Sequence, residues 1–193
     1  MIDYDLNQFR TVRFSYYGLS QFEIEVIYTI LRWAFGIVDE HKLQIEENDF
    51  VSMVAIHFPV PFGESFFQKL SVERWQKLVG LIKEMKRRRG SKKGIKAFIS
   101  FCGIEPEGMK PKLIFSFMNK NSRHFEMAVE KIEYLVDVVP LQLQMFQQRG
   151  NKVDEILYTY DEAGFKWNPH MTKTTDGSEF YYVQRTREWI QRT

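Results

Sequence analysis

Apolar and polar residues alternate along 9–16, Phe-Arg-Thr-Val-Arg-Phe-Ser-Tyr, which places Val12, Phe14 and Tyr16 on one side of a predicted strand. After Gly18 the period lengthens. Phe22, Val26, Ile30 and Trp33, together with Ile27, Leu31 and Ala34, recur at helical spacing. Ser20 and Glu23 form a capping-box pattern ahead of this helix, and Gly36 is a suitable stop. Residues 39–49 are mostly polar and predict a loop or short strand. Residues 50–58 are rich in β-branched and aromatic types and predict a strand, ended by Pro59 and Pro61. Val72, Trp75, Leu78, Val79, Ile82 and Met85 then mark one stripe of a second helix, with Ser71 as its N-cap.

Two further strands, 95–103 and 112–118, read as an antiparallel hairpin. A third helix is predicted over 122–138, with Phe125, Val129, Ile132 and Val136 buried and Pro140 ending or kinking it. Residues 155–160 predict another strand, 161–177 are rich in turn formers, and 179–184 can pair back as a final hairpin. The central order is strand, helix, strand, strand, helix, strand. This predicts an α+β protein with a ferredoxin-like (βαββαβ) core, an N-terminal strand–helix extension and a C-terminal β-hairpin. The length of 193 residues suits one domain spanning 1–193, with 1–48 as a possible extension and 141–193 as a possible appendage.

Charge changes the picture more than composition does. Lys and Arg number 27 against 25 Asp and Glu, a net charge of only +2. Yet Lys83, Lys86, Arg87, Arg88, Arg89, Lys92, Lys93 and Lys96 stand in one short segment with Glu84 as its single acid. That local balance is +7, so the rest of the chain sums to −5. Apolar runs fall far short of the roughly 20 residues of a membrane helix, and no membrane partner is expected. The start, Met1-Ile-Asp-Tyr-Asp-Leu-Asn, lacks the basic and apolar regions of a secretory signal, so a cytoplasmic location is expected. The single cysteine, Cys102, excludes an intramolecular disulfide and any site with two thiolates from one chain.

The basic segment runs into strands rich in rings. Cations there suit phosphates, and exposed rings suit unpaired bases. Lys93-Gly94-Ile95-Lys96-Ala97-Phe98-Ile99-Ser100-Phe101 resembles the signature strand of RNA-recognition motifs, with a basic entry, a glycine and alternating rings. It is one residue longer than that signature, and Ile95 or Lys96 stands where an aromatic belongs. It also falls on the second strand of the βαββαβ order instead of the third, so the similarity is one of physics. Phe98 is the best-placed ring, between Lys96 and Ser100, and Phe115 and Tyr16 are further candidates. Phe58, Phe66, Phe67 and Phe117 are expected in the core, which is also the ordinary place for Phe115.

Catalytic signals are sparse. Asp39-Glu40-His41 and Glu46-Glu47-Asn48-Asp49 offer carboxylates that a divalent metal could use, although a solvated acidic loop accounts for them. His57 is expected as a core histidine, and Cys102 needs a base that the sequence does not place. There is no P-loop, dinucleotide fingerprint or nucleophile elbow, and no cofactor is expected. The leading expectation is a non-enzymatic protein binding single-stranded nucleic acid or RNA. An interaction protein that forms homo-oligomers through an aromatic surface is the alternative, and a metal-dependent nuclease is the third.

Overall fold

Nine strands lie side by side in one sheet, with helices packed on one of its faces. The computed structural model describes residues 11–46, 49–90, 94–105, 108–147 and 152–192. In chain order the elements are β1 (Thr11–Tyr17), α1 (Gln21–Phe35), β2 (Ile37–Lys42), β3 (Ser52–Phe58), α2 (Glu64–Leu70), α3 (Val72–Arg89), β4 (Ile95–Glu105) and β5 (Gly108–Met118). They continue with α4 (Ser122–Glu130), a 3-10 turn (Glu133–Leu135), α5 (Val138–Gln147), β6 (Val153–Asp161), β7 (Lys166–Thr174), β8 (Glu179–Val183) and β9 (Glu188–Gln191). The strand order is β2-β1-β3-β4-β5-β6-β7-β8-β9. The pairs β1–β2, β3–β4 and β5–β6 are parallel and joined by helices, and the remaining pairs are antiparallel.

The protein is α+β as expected, but the ladder is not the split ferredoxin-like arrangement. There the strands joined by a helix are separated by another strand. Here each such pair is adjacent. The sheet is also larger, because the expected extensions belong to it. β1 and β2 extend one side, and β7, β8 and β9 form a meander on the other. The turn-rich stretch after β6 is itself mostly strand, since β7 pairs with β6 from Asp161↔Lys166 to Val153↔Thr174.

Ion pairs from α3 to α4 place these helices on the same face of the sheet. The crossings β3→β4 and β5→β6 step in the same direction across the sheet along oppositely directed strands. With their helices on one face they have opposite hands, so one of them is the rare left-handed form.

The helix expected over 122–138 is broken into α4 and the 3-10 turn, and a further helix, α5, starts at Val138 where it was expected to end. Pro140 sits in the first turn of α5, where its missing N–H has no intrahelical partner to lose. In α1 the buried stripe is Ile24, Ile27, Leu31 and Phe35, while Phe22 and Trp33 point outward. Trp33 is covered by the Arg74 guanidinium at 3.1 Å from the ring centroid. No helix among the described residues is long and apolar enough to cross a membrane.

Under the helices the core is built largely from rings. Phe101 stacks on Phe58 at 5.2 Å and meets Phe62 and Phe66 at 4.9 and 4.8 Å. Phe115 stacks on Tyr158 at 5.0 Å, and Trp167 closes over Phe115 and Phe117. The Trp167 indole N–H donates to the Ala128 carbonyl at 2.8 Å, tying the meander to α4.

Candidate interaction surface

The last turns of α3 hold most of the basic segment, and the fold uses those charges internally. Lys83 pairs with Glu130 and lies 3.9 Å from Glu126. Arg87 donates to both oxygens of Glu126 at 3.0 Å, and Arg88 donates to Glu84 at 3.1 Å. The Arg87 bonds hold the Glu126 carboxyl below its ordinary range. Lys86 is fully buried, and its ammonium donates to the carbonyls of Gly90 and Lys120 at 3.0 and 2.9 Å. Burial depresses its pKa.

Arg89 grips Glu23, which is 2% exposed. Its Nη1 and Nη2 reach the two carboxylate oxygens at 2.8 and 2.9 Å. Thus Lys83, Lys86, Arg87, Arg88 and Arg89 have protein partners instead of an exposed stripe of unpaired charge. Lys92 and Lys93 lie outside the described residues. Phe115 is 0% exposed, so the stacking role expected for it is closed by the helices above it. Tyr16 likewise faces the core side and donates to Glu40 at 2.9 Å.

Lys96 and Phe98 lie on the opposite face of the sheet, which no described helix covers. Strand alternation sends every second residue there, and the pairing registers align those residues into rows. One row crosses all nine strands: Asp39, Arg13, His57, Ser100, Ile114, Leu157, Met171, Tyr181 and Ile190. Beside it run His41, Ser15, Ala55, Phe98, Ser116 and Thr159. A third row holds Tyr17, Met53, Lys96 and Met118, and a fourth holds Lys112, Glu155, Lys173 and Glu179. Residues of these rows are half-buried or exposed, in contrast to the nearly sealed helix side.

Charges on this face are interspersed and nearly balanced. The four rows carry four basic side chains, Arg13, Lys96, Lys112 and Lys173, and three carboxylates, Asp39, Glu155 and Glu179. Arg13 pairs with Asp39 at 3.4 Å and Lys112 with Glu155 at 3.2 Å. At one end the Lys96 ammonium lies 5.0 Å from the Phe98 centroid and 5.6 Å from that of Phe50, which Tyr17 meets edge-on. The acidic stretch after α1 is not gathered into one site. Alternation along β2 puts Asp39 and His41 on the open face and turns Glu40 to Tyr16 on the other. Glu47 and Asn48 lie outside the described residues.

His57 and Cys102 meet on the same face, a juxtaposition not anticipated from sequence. His57 alternates away from the core between Ile56 and Phe58, so it is not the core histidine expected. Its Nδ1 is 3.0 Å from Ser100 Oγ, and its Nε2 is 3.5 Å from Cys102 Sγ. Burial, then the charges of Lys112 and Arg13, lower the His57 pKa. Burial raises the Cys102 thiol, with Lys112 opposing that shift. Both directions favour the neutral pair, unlike an activated thiolate–imidazolium dyad. The available signal was that both residues alternate to the side of their strands opposite the main apolar stripe, Val54, Ile56 and Phe58 on β3 and Ala97, Ile99 and Phe101 on β4. Among the described residues no group of three or more His, Cys, Asp or Glu is arranged to hold a metal ion. Comparison with family models, curated proteins and solved structures finds no match to this chain.

Proposed function

We propose that the chain is a non-enzymatic interaction protein that pairs with a second copy of itself, open sheet face to open sheet face. The observation that carries this reading is the row of Ile114, Leu157, Met171, Tyr181 and Ile190, half-buried or exposed on a sheet side that no described helix covers. Nine strands spaced about 4.8 Å apart, each about 7 residues long, offer a face of about 900 Å². A stable interface takes about 800 Å² from each partner. The near-balance of acids and bases suits a copy of the same surface better than a polyanion, which would want a large excess of cations.

Light scattering on the full chain is expected to return a dimer. Ile114→Glu combined with Leu157→Glu is expected to weaken dimerisation by about 100-fold, about 2.7 kcal/mol. The helix-side core is untouched by these changes, so circular dichroism should be retained. A wild-type chain that stays monomeric at high micromolar concentration overturns the reading.

Single-stranded nucleic acid is a second reading, supported by Lys96 between Phe98 and Phe50 at one end of this face. Binding of a labelled oligonucleotide at low salt should then fall when Lys96 and Phe98 are both replaced by Ala. It should fade as salt rises. Oligonucleotide binding indifferent to both changes defeats this second reading.

A further inference from the structure

We propose that the row Lys112, Glu155, Lys173 and Glu179 determines how two copies recognise each other, about a twofold axis that runs along the strands between β6 and β7. This register rests on the self-pairing reading and adds to it the residues that select a second copy as the partner. Strand pairing carries the row across β5, β6, β7 and β8 as Lys112↔Glu155, Glu155↔Lys173 and Lys173↔Glu179. All four residues are half-buried or exposed on the open face. Their charges alternate in the order plus, minus, plus, minus. A row of that kind, reversed end to end, is its own complement.

A twofold axis midway between β6 and β7 reverses the strand order, so β6 of one copy faces β7 of the other, and β5 faces β8. Glu155 then faces Lys173 of the second copy and Lys112 faces its Glu179, each contact being made twice. Every one of these charges has an opposite charge beside it in its own sheet and another across the interface. Packed sheets lie about 10 Å apart, a gap that Lys and Glu side chains bridge when both sheets contribute. The same axis matches the apolar row, setting Leu157 on Met171 and Ile114 on Tyr181. Other placements do not. An axis over β6 sets Glu155 on Glu155 and Lys112 on Lys173, and an axis over β7 sets Lys173 on Lys173 and Glu155 on Glu179. An axis across the strands, along the apolar row, turns Lys112 and Glu155 onto Ser116 and Thr159. Like charges set against each other suppress a wrong register. The overlap spans β4 to β9, about 600 Å² from each copy, which is the small end of the range for specific interfaces. It covers the apolar row to Ile190 and leaves β1, β2 and β3, with Arg13, Asp39 and His57, outside. Arg192, which holds Glu179 of its own chain at 3.5 Å, falls at the rim.

Light scattering and sedimentation of the full chain, alone and in mixtures, test the register. Lys173→Glu and Glu155→Lys each place two like-charge contacts in a homodimer and should weaken it by about tenfold or more. Mixed in equal amounts, the two variants form a heterodimer in which an acid faces a base at every contact. Its affinity should return to within about threefold of the unaltered chain. The neighbours of each reversed charge within its own sheet are the same in monomer and dimer, so this recovery reads the contact between copies. If circular dichroism shows that a charge-reversed chain does not fold, cross-linking decides the register. In a Cys102→Ser background, a short bismaleimide should join Ile114→Cys chains to Tyr181→Cys chains in a mixture, and neither variant to itself. A dimer whose mixed variants do not recover, or in which Ile114→Cys chains cross-link to each other, overturns the register and leaves the pairing intact. An unaltered chain that stays monomeric overturns both.

Discussion

Replacing Arg89 by Ala is expected to destabilise the protein by about 3–5 kcal/mol, the usual cost of leaving a buried charge without its partner. The guanidinium uses all five of its N–H groups. Nε donates to Ser52 Oγ at 2.6 Å. Nη1 serves Glu23 and the Met85 carbonyl, and Nη2 serves Glu23 and the Gly18 carbonyl. One side chain thereby joins the end of α3 to the start of α1 and to the turn after β1. Lysine cannot reproduce a planar fork of five donors, so Arg89→Lys should recover only part of the loss. Urea unfolding monitored by circular dichroism measures both variants.

Gly18 belongs to the same knot, with φ of +64° and the Val51 carbonyl oxygen only 2.2 Å from where a Cβ would stand. Gly18→Ala should therefore strain the backbone as well as displace the carbonyl that Arg89 binds.

The pair also predicts an acid limb in the stability curve. Burial alone would raise the Glu23 carboxyl, but Arg89 and the Ser20 backbone N–H outweigh it and hold the pKa down to about 2 from about 4.5. The folded-state pKa is depressed. The contribution is therefore present in full above pH ~4.5 and is lost as pH falls towards ~2, amounting to about 3 kcal/mol. Glu23→Gln should flatten that limb while costing stability at neutral pH. An acid limb of unchanged depth in this variant would assign the effect to other carboxylates.

Phe101→Ala is expected to cost about 3–5 kcal/mol, as for other large buried rings truncated to a methyl group. The ring is 0% exposed and is in contact with Phe58, Phe62, Phe66 and Phe115. Those partners come from β3, β5 and the α2 region, so collapse around the void would require several elements to move together. Ser100→Ala, one residue earlier on the same strand, is the natural comparison. Its side chain is on the open face, and in the monomer it should cost about 1 kcal/mol or less. A thermal shift of similar size for both variants would contradict the two-sided account of this sheet.

The strands and helices that hold Phe101 were largely visible as periodicity. Trp75, Leu78, Val79, Ile82 and Met85 mark one face of α3 by spacing alone, and each is buried there. The α1 stripe was half legible, because Phe22 and Trp33 have helical spacing but lie on the outward side. Chain order suggested a ferredoxin-like core because spacing cannot say which strand a helix returns to. β7 was hidden for a different reason. Lys-Trp-Asn-Pro-His-Met-Thr-Lys-Thr has little alternation, and its shifted register beside β6 is supported by cross-strand pairing.

The basic segment shows most clearly where sequence and tertiary structure divide. The local excess of +7 is a fact of composition that no fold alters. Whether those charges are available to a partner depends on carboxylates far away in the chain: Arg89 finds Glu23 across 66 residues and Arg87 finds Glu126 across 39. Salt screens attraction between exposed charges beyond about 10 Å, so only packing α3 between α1 and α4 could decide the matter. The same holds for Cys102 and His57, 45 residues apart and brought to 3.5 Å by the parallel pairing of β3 with β4. Local side-chain period was sufficient to predict most helices and strands. Strand order, the open sheet face and the partners of each charge came from long-range burial and pairing, which no local pattern encodes.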